Sequence, residues 1–247
     1  VIAPADQLAD RATRAAVWAS LGTVRDPELD EPVTDLGFVR SCTVRDHHAR
    51  VRLRLPTAFC APNFAYLMTA DAYDAVKAVP GVHSVDVQLE DHHDSEQINA
   101  GVAAQAGFVG TYGEEAAAEL DELRLVFRRK AHLACLDRVC RGLTARGWTV
   151  DSLNTATLSD LSASERAQLC RRRADLGLST QPGSLVLVDD TGTPVPPEKV
   201  SVTLRFASTV RVSLDGNAHF CRGLLRTRYP GSGRDQCPRD DEQEVMK

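Results

Sequence analysis

The stretch "ARVRLRL", residues 49–55, constrains the fold more than any other part of this chain. Val51, Leu53 and Leu55 alternate strictly with Arg50, Arg52 and Arg54. A period of two puts the aliphatic side chains on one face of an extended chain and the guanidinium groups on the other. The pattern specifies a half-buried strand, which needs partners in a sheet and a layer over its apolar face. "LGFVRSCTV" (36–44) supplies one partner, with Gly37 near its start, and "RDHH" (45–48) reads as the polar turn of a β-hairpin. "VHSVDVQLE" (82–90) alternates again through Val85, Val87 and Leu89 and reads as a third strand.

Two helices fit between and before these strands. Residues 8–25 carry Val17, Leu21 and Val24 at helical spacing, and the helix must end by "RDPELDEP". There Pro27 disfavours the α conformation at Asp26, and Pro32 closes the loop. Residues 62–79 read as a second helix, with Pro62 in its first turn and "VPG" (79–81) ending it. The order α-β-β-α-β predicts an α+β domain, a three-stranded sheet with helices on one face, over residues 1–100.

The remainder is less regular. Residues 101–115, polar and rich in Gly and Ala, read as a linker. Residues 116–229 read as a mixed helical and strand region that recognises a client. Its expected elements are helices at 116–146 and 163–176 and a strand at 184–190, "SLVLVDD". Further strand material is expected in "PEKVSVTLRF" and "STVRVSL", then a terminal helix at 217–229. The tail 230–247 lacks core-forming residues and is expected to be mobile.

Composition narrows the function. With 43% apolar and 26% charged residues and a net charge of −5, the chain reads as a soluble globular protein without the basic face that nucleic acid requires. Only four of the basic residues are Lys, which we read as the codon bias of a GC-rich genome. "VIAPADQLAD" shows no basic segment followed by an apolar core, and no run of about 18 apolar residues predicts a membrane span. The seven cysteines are scattered without a C-x-x-C pair, so they read as reduced thiols of a cytoplasmic protein.

One cysteine stands out. In "PTAFCAPNF" (56–64), Cys60 lies at the junction of the alternating strand and the second helix. A thiol at a helix N-terminus meets unpaired N–H groups and the positive end of the macrodipole. That position is expected to lower its pKa and make it a better nucleophile and soft-metal ligand. Thr57 can turn its hydroxyl toward the same loop. Packing as a small apolar residue is the alternative on position alone.

The residues "VRDPELDEPVTDLGFV" (24–39), "VRLRLPTAFCAPN" (51–63) and "VPGVHSVDVQL" (79–89) together resemble the PaaD- and SufT-like family of iron–sulfur cluster assembly domains. The resemblance covers roughly residues 8–100. It rests on Asp-Pro-Glu, a short loop, an Asp-Leu-Gly turn into a strand, and a Thr three residues before a Cys that opens the second helix. It implies that Asp26 and Glu28 lie near the mouth of a site whose reactive loop carries Thr57 and Cys60. It also implies transient handling of iron or an iron–sulfur cluster for a client metalloprotein, such as an oxygenase component. The chain departs from the family pattern at Ala61, which stands between Cys60 and Pro62, and at Pro56, where Thr is more usual.

A single thiolate cannot hold a cluster, which usually takes four protein ligands. Cys60 would share it with a second subunit, as in a homodimer, with a client, or with non-Cys ligands. "EDHHDSEQIN" (90–99) offers Asp91, His92, His93 and Asp94 as candidate metal ligands, though adjacent His side chains on an extended chain point apart. A solvated polar loop is the other reading, and His47 and His48 read as solvated. His132 and Cys135 are spaced i, i+3 on a helix without closing a site, and Cys42, Cys170 and Cys221 read as core or half-buried residues. Cys237 falls in the tail. The runs "RRK" (128–130) and "RRR" (171–173) read as solvated helix faces or as docking points for an acidic partner. Phosphate-loop, H-E-x-x-H and Ser-elbow motifs are absent.

Three functions follow: a metal-centre maturation factor, a Cys-dependent enzyme with His92 or His93 as base, and an adaptor in which Cys60 is incidental.

Overall fold

The alternating stretch is a strand, and the hairpin before it closes with a two-residue turn at Asp46–His47. Both turn residues take positive φ, 50° and 61°, the geometry that matches the twist of the flanking strands. His47 is held there by its ring, which stacks on His83 at 4.3 Å and bonds the Gly81 carbonyl through Nδ1 at 2.8 Å. The reading of His47 and His48 as merely solvated is corrected on this point, since His48 Nδ1 also bonds Ser84 Oγ at 2.7 Å.

The computed structural model describes residues 4–116 and 118–232. It divides into two compact units. The first takes the chain up to Leu120 and again from Ala218, and the second takes Asp121–Asn217.

The first unit opens with α1 (Pro4–Leu21), then the two-residue ladder of β1 (Arg25–Asp26) and β2 (Glu31–Pro32). β3 (Val39–Arg45), β4 (His48–Arg54), α2 (Pro62–Lys77) and β5 (Ser84–Glu90) follow. The sheet order is β3-β4-β5, with β3 antiparallel to β4 and β5 parallel to it. Val51, Leu53, Leu55, Val87 and Leu89 are buried with Val17 and Leu21 of α1 and Met68 and Val76 of α2 in one apolar cluster. The arginine face of β4 is ion-paired: Arg52 lies 3.0 Å and Arg50 3.2 Å from Asp86 across the sheet. The expected α+β arrangement is the one observed.

Residues 101–115 are not structureless. α3 (Ser95–Ala103) and α4 (Gly107–Tyr112) occupy them with a 3-10 turn at Gly113–Glu115. Ile98 and Val102 of α3 enter the core, and Phe108 packs edge-on against Tyr66 at 5.4 Å. So few apolar residues over so short a helix leave little periodicity to read.

The second unit contains α5 (Asp121–Ala145), α6 (Ala163–Ala174) and the first part of α7 (Val200–Arg228). Its core joins Leu136, Val139 and Leu143 with Leu158, Leu169, Val186 and Leu187. The strands expected in "PEKVSVTLRF" and "STVRVSL" are helix: α7 runs through both. Val200, Ala207 and Leu214 are buried at seven-residue intervals, a period that only a helix puts on one face. Residues 184–190 form no ladder either, contributing only the isolated bridges Thr157–Leu185 and Val188–Pro194. The "RRR" run is not a solvated face: Arg172 and Arg173 are buried. Arg173 donates to the carbonyls of Ser179, Leu185 and Val186 at 2.6–3.1 Å and so stands in for the missing ladder. Cys237 and residues 233–247 lie outside the described residues.

Candidate functional site

Because β4 and β5 are parallel, their C-terminal ends meet, with Arg54 opposite Glu90. The loops that leave them, 55–61 and 91–94, therefore emerge side by side, where open sheets with parallel strands commonly place a binding site. Two bonds tie the loops together. The His93 N–H donates to the Ala58 carbonyl at 2.9 Å, and His92 Nε2 bonds the Cys60 carbonyl at 2.8 Å. His92 Nδ1 accepts from the Asp94 N–H at 3.1 Å, so the ring proton sits on Nε2 and is donated to Cys60.

That bonding settles the role of the acidic-histidine segment. His92 is buried and both its ring nitrogens serve backbone groups, so it has no lone pair left for a proton or a metal. The His93 side chain is 74% exposed and lies 3.9 Å from Asp94. Asp91 accepts from Tyr229 Oη at 2.9 Å, and Asp94 from Tyr112 Oη at 3.4 Å. A general base for Cys60 is thus absent from this pair of imidazoles, and the nucleophile reading loses its partner.

The β1–β2 turn brings Asp26 and Glu28 to the thiol. Asp26 Oδ1 accepts from the N–H groups of Glu28 and Leu29, each at 2.9 Å, which fixes the turn. The carboxyl is 6% exposed, and burial pushes its pKa up to about 6 against the pull of those two donors. Thr57 Oγ1 accepts from the Phe59 N–H at 3.2 Å, so its hydroxyl shapes the reactive loop. Phe59 itself is 82% exposed beside Cys60.

Cys60 is half-buried, and the N-cap of α2 is Ala61, one residue later. The extra residue sets the thiol back from the helix end. Its pKa is pushed up to about 12, the reverse of the lowered value expected from a helix N-terminus. Burial is the largest cause, followed by Asp26, Cys221 and Glu28, while the Ala61 N–H favours the thiolate too weakly to compensate. In this site the thiol is protonated until something positive displaces the proton.

Cys221, from α7, completes the group and was not singled out by the sequence. It is half-buried against the same core as Cys60, and burial with Asp26 and Glu28 pushes its pKa up to about 11. No local signal could have found it, because the contact depends on the register of a helix far along the chain.

The profile of a family described as iron-sulfur cluster assembly protein matches residues 14–88. A Methanocaldococcus jannaschii protein described as uncharacterized is 35% identical over 89 residues, 35% of this chain and 90% of that relative. This chain belongs to the iron–sulfur cluster assembly protein family. Proteins described as iron-sulfur cluster carrier protein, from Mycobacterium tuberculosis and Mycobacterium bovis, are 37% identical over 84 residues, 34% of this chain. The matched stretch spans 22% of those carriers' own length. The family match contains Asp26, Glu28, Thr57 and Cys60, and ends before Asp91, His92 and the whole of α7.

Sulfur from Cys60 and oxygen from Asp26 and Glu28 form a donor set suited to iron. Among the described residues, no three His, Cys, Asp or Glu side chains converge to enclose an ion. The donors present fit a shared or exchanging metal centre better than a resident one.

Proposed function

We propose that the chain takes up iron or an iron–sulfur cluster at Cys60 and passes it to a client metalloprotein. The observation that carries this is the incomplete donor set: a thiol with two carboxylates nearby, in a family of cluster assembly proteins, without enough ligands to retain a metal. Iron is the cargo here, and the protein's residues bind it, shield it and let it go. Thr57 and His92 hold the backbone on either side of the thiol, so its position does not depend on cargo.

Phe59, exposed beside the thiol, suits contact with the client. The second unit, which lies outside the family match, is the natural place for client recognition. An iron-dependent oxygenase component is one concrete client, and a homodimer sharing the cluster between two Cys60 thiols is one way to hold cargo in transit. No helix among the described residues is long and apolar enough to cross a membrane.

The test is transfer. Anaerobically reconstituted protein is mixed with the apo form of an iron–sulfur enzyme, and recovered enzyme activity is followed with time. Wild type should restore activity faster than free iron and sulfide, and Cys60→Ala should not. Equal recovery with both proteins would overturn the reading and favour an adaptor.

A further inference from the structure

Cys221 sits on the face of α7 that carries Ala218 and Leu225, three and four residues away and each 1% exposed. That spacing turns all three toward the core of the first unit. The C-terminal turns of α7 are fastened to each loop of the site. Arg222, the next residue, pairs with Glu31, which closes the turn carrying Asp26 and Glu28. Arg228 donates to the Leu55 carbonyl at 3.2 Å, where the Cys60 loop begins, and to the Asp91 carbonyl at 2.5 Å. Tyr229 Oη bonds Asp91, and Arg54 lies over the Tyr229 ring at 4.8 Å. A helix fastened at so many points places the Cys221 sulfur reproducibly, and it lies within the electrostatic reach of Cys60, Asp26 and Glu28.

We propose that Cys221 is a second metal ligand, so that Cys60 and Cys221 together present a dithiol to iron or another thiophilic divalent cation. The proposal rests on the carrier reading of Cys60 and extends it to a residue outside the family match. Each thiol gives up its proton to the buffer as its sulfur bonds the metal, and each new bond displaces one water or donor ligand from the metal. Two thiolates are half of the usual four-ligand set of a cluster, leaving the other half to whichever protein gives or receives it. Packing alone gives no reason for a thiol here, because the neighbouring buried position on this face is filled by Ala218.

The test uses the full chain, reduced and free of oxygen, titrated with Co2+. Sulfur-to-cobalt charge-transfer absorption and proton release are read for wild type, Cys60→Ser, Cys221→Ser and the control Cys170→Ser. The proposal expects Cys60→Ser and Cys221→Ser each to lose about half the band and to bind at least about tenfold more weakly, with Cys170→Ser unchanged. Cys221→Ser with the wild-type band, affinity and proton release would overturn it. Circular dichroism and thermal unfolding check each variant, with Cys221→Ala replacing Cys221→Ser if serine disturbs the fold. Reconstitution with iron and sulfide then separates the two readings. Uptake by wild type and Cys221→Ser alike overturns the dithiol and leaves the carrier standing. No uptake by wild type counts against the carrier, while the cobalt titration still decides the pair.

Discussion

At Asp26, burial and function oppose each other. Its carboxyl is pushed up to about 6 from 3.8, so the folded chain keeps a proton that the unfolded chain releases. The stability this contributes is complete below pH 3.8 and is lost as pH rises through about 6. By pH 8 the loss amounts to about 3 kcal/mol. Asp26→Asn keeps an acceptor for the Glu28 and Leu29 N–H groups. It should match wild type at pH 4 and exceed it by about 3 kcal/mol at pH 8 in urea unfolding. Equal stability at both pH values would mean that the carboxyl is not strained by burial. The thiol behaves in parallel. With its pKa pushed up to about 12, Cys60 should alkylate with iodoacetamide at pH 8 at least about tenfold more slowly than a free cysteine peptide, read by mass spectrometry.

Among the elements, α6 and α7 carry the long-range work. Arg173 of α6 satisfies three carbonyls in a segment that forms no ladder. Arg173→Met leaves them unpaired and should cost about 2–4 kcal/mol. Trp148, which packs on the second unit's core, reports the change by fluorescence in a Trp18→Phe background. In α7, Arg228→Ala should speed amide exchange at Tyr229–Ser232 and alkylation of Cys221, both by mass spectrometry. Unchanged protection would show that the apolar stripe alone fastens the helix. These two elements also show where local pattern misleads. "VSVTLRF" and "STVRVSL" are rich in β-branched residues, yet Val202, Phe206 and Val212 are exposed on a helix. Propensity gave way to the seven-residue recurrence of Val200, Ala207 and Leu214, which has meaning only against a core.

For the whole molecule, two apolar clusters share no residue, and each contains one of the two tryptophans among its packed side chains. Leu143→Ala should lower the Trp148 transition by about 2–5 kcal/mol and leave that of Trp18 in place, and Leu53→Ala should do the reverse. Coincident shifts would mean one cooperative unit. The first unit was readable in advance because its signals are short-range: strict alternation in β4 and β5, and prolines bounding α2. Asp26, Glu28, Thr57 and Cys60 were readable because a family motif binds residues of the same small domain. His92 was legible as a residue but not as a backbone tether, since its hydrogen-bond partners come from another loop. Local periodicity was enough to decide which faces of the N-terminal strands are buried. Packing at long range decided the rest: that Cys60 is set back, shielded and protonated, and that a thiol from α7 stands beside it. The physical reason is that a pKa and a metal-ligand set depend on what surrounds an atom in space, and chain order does not record that.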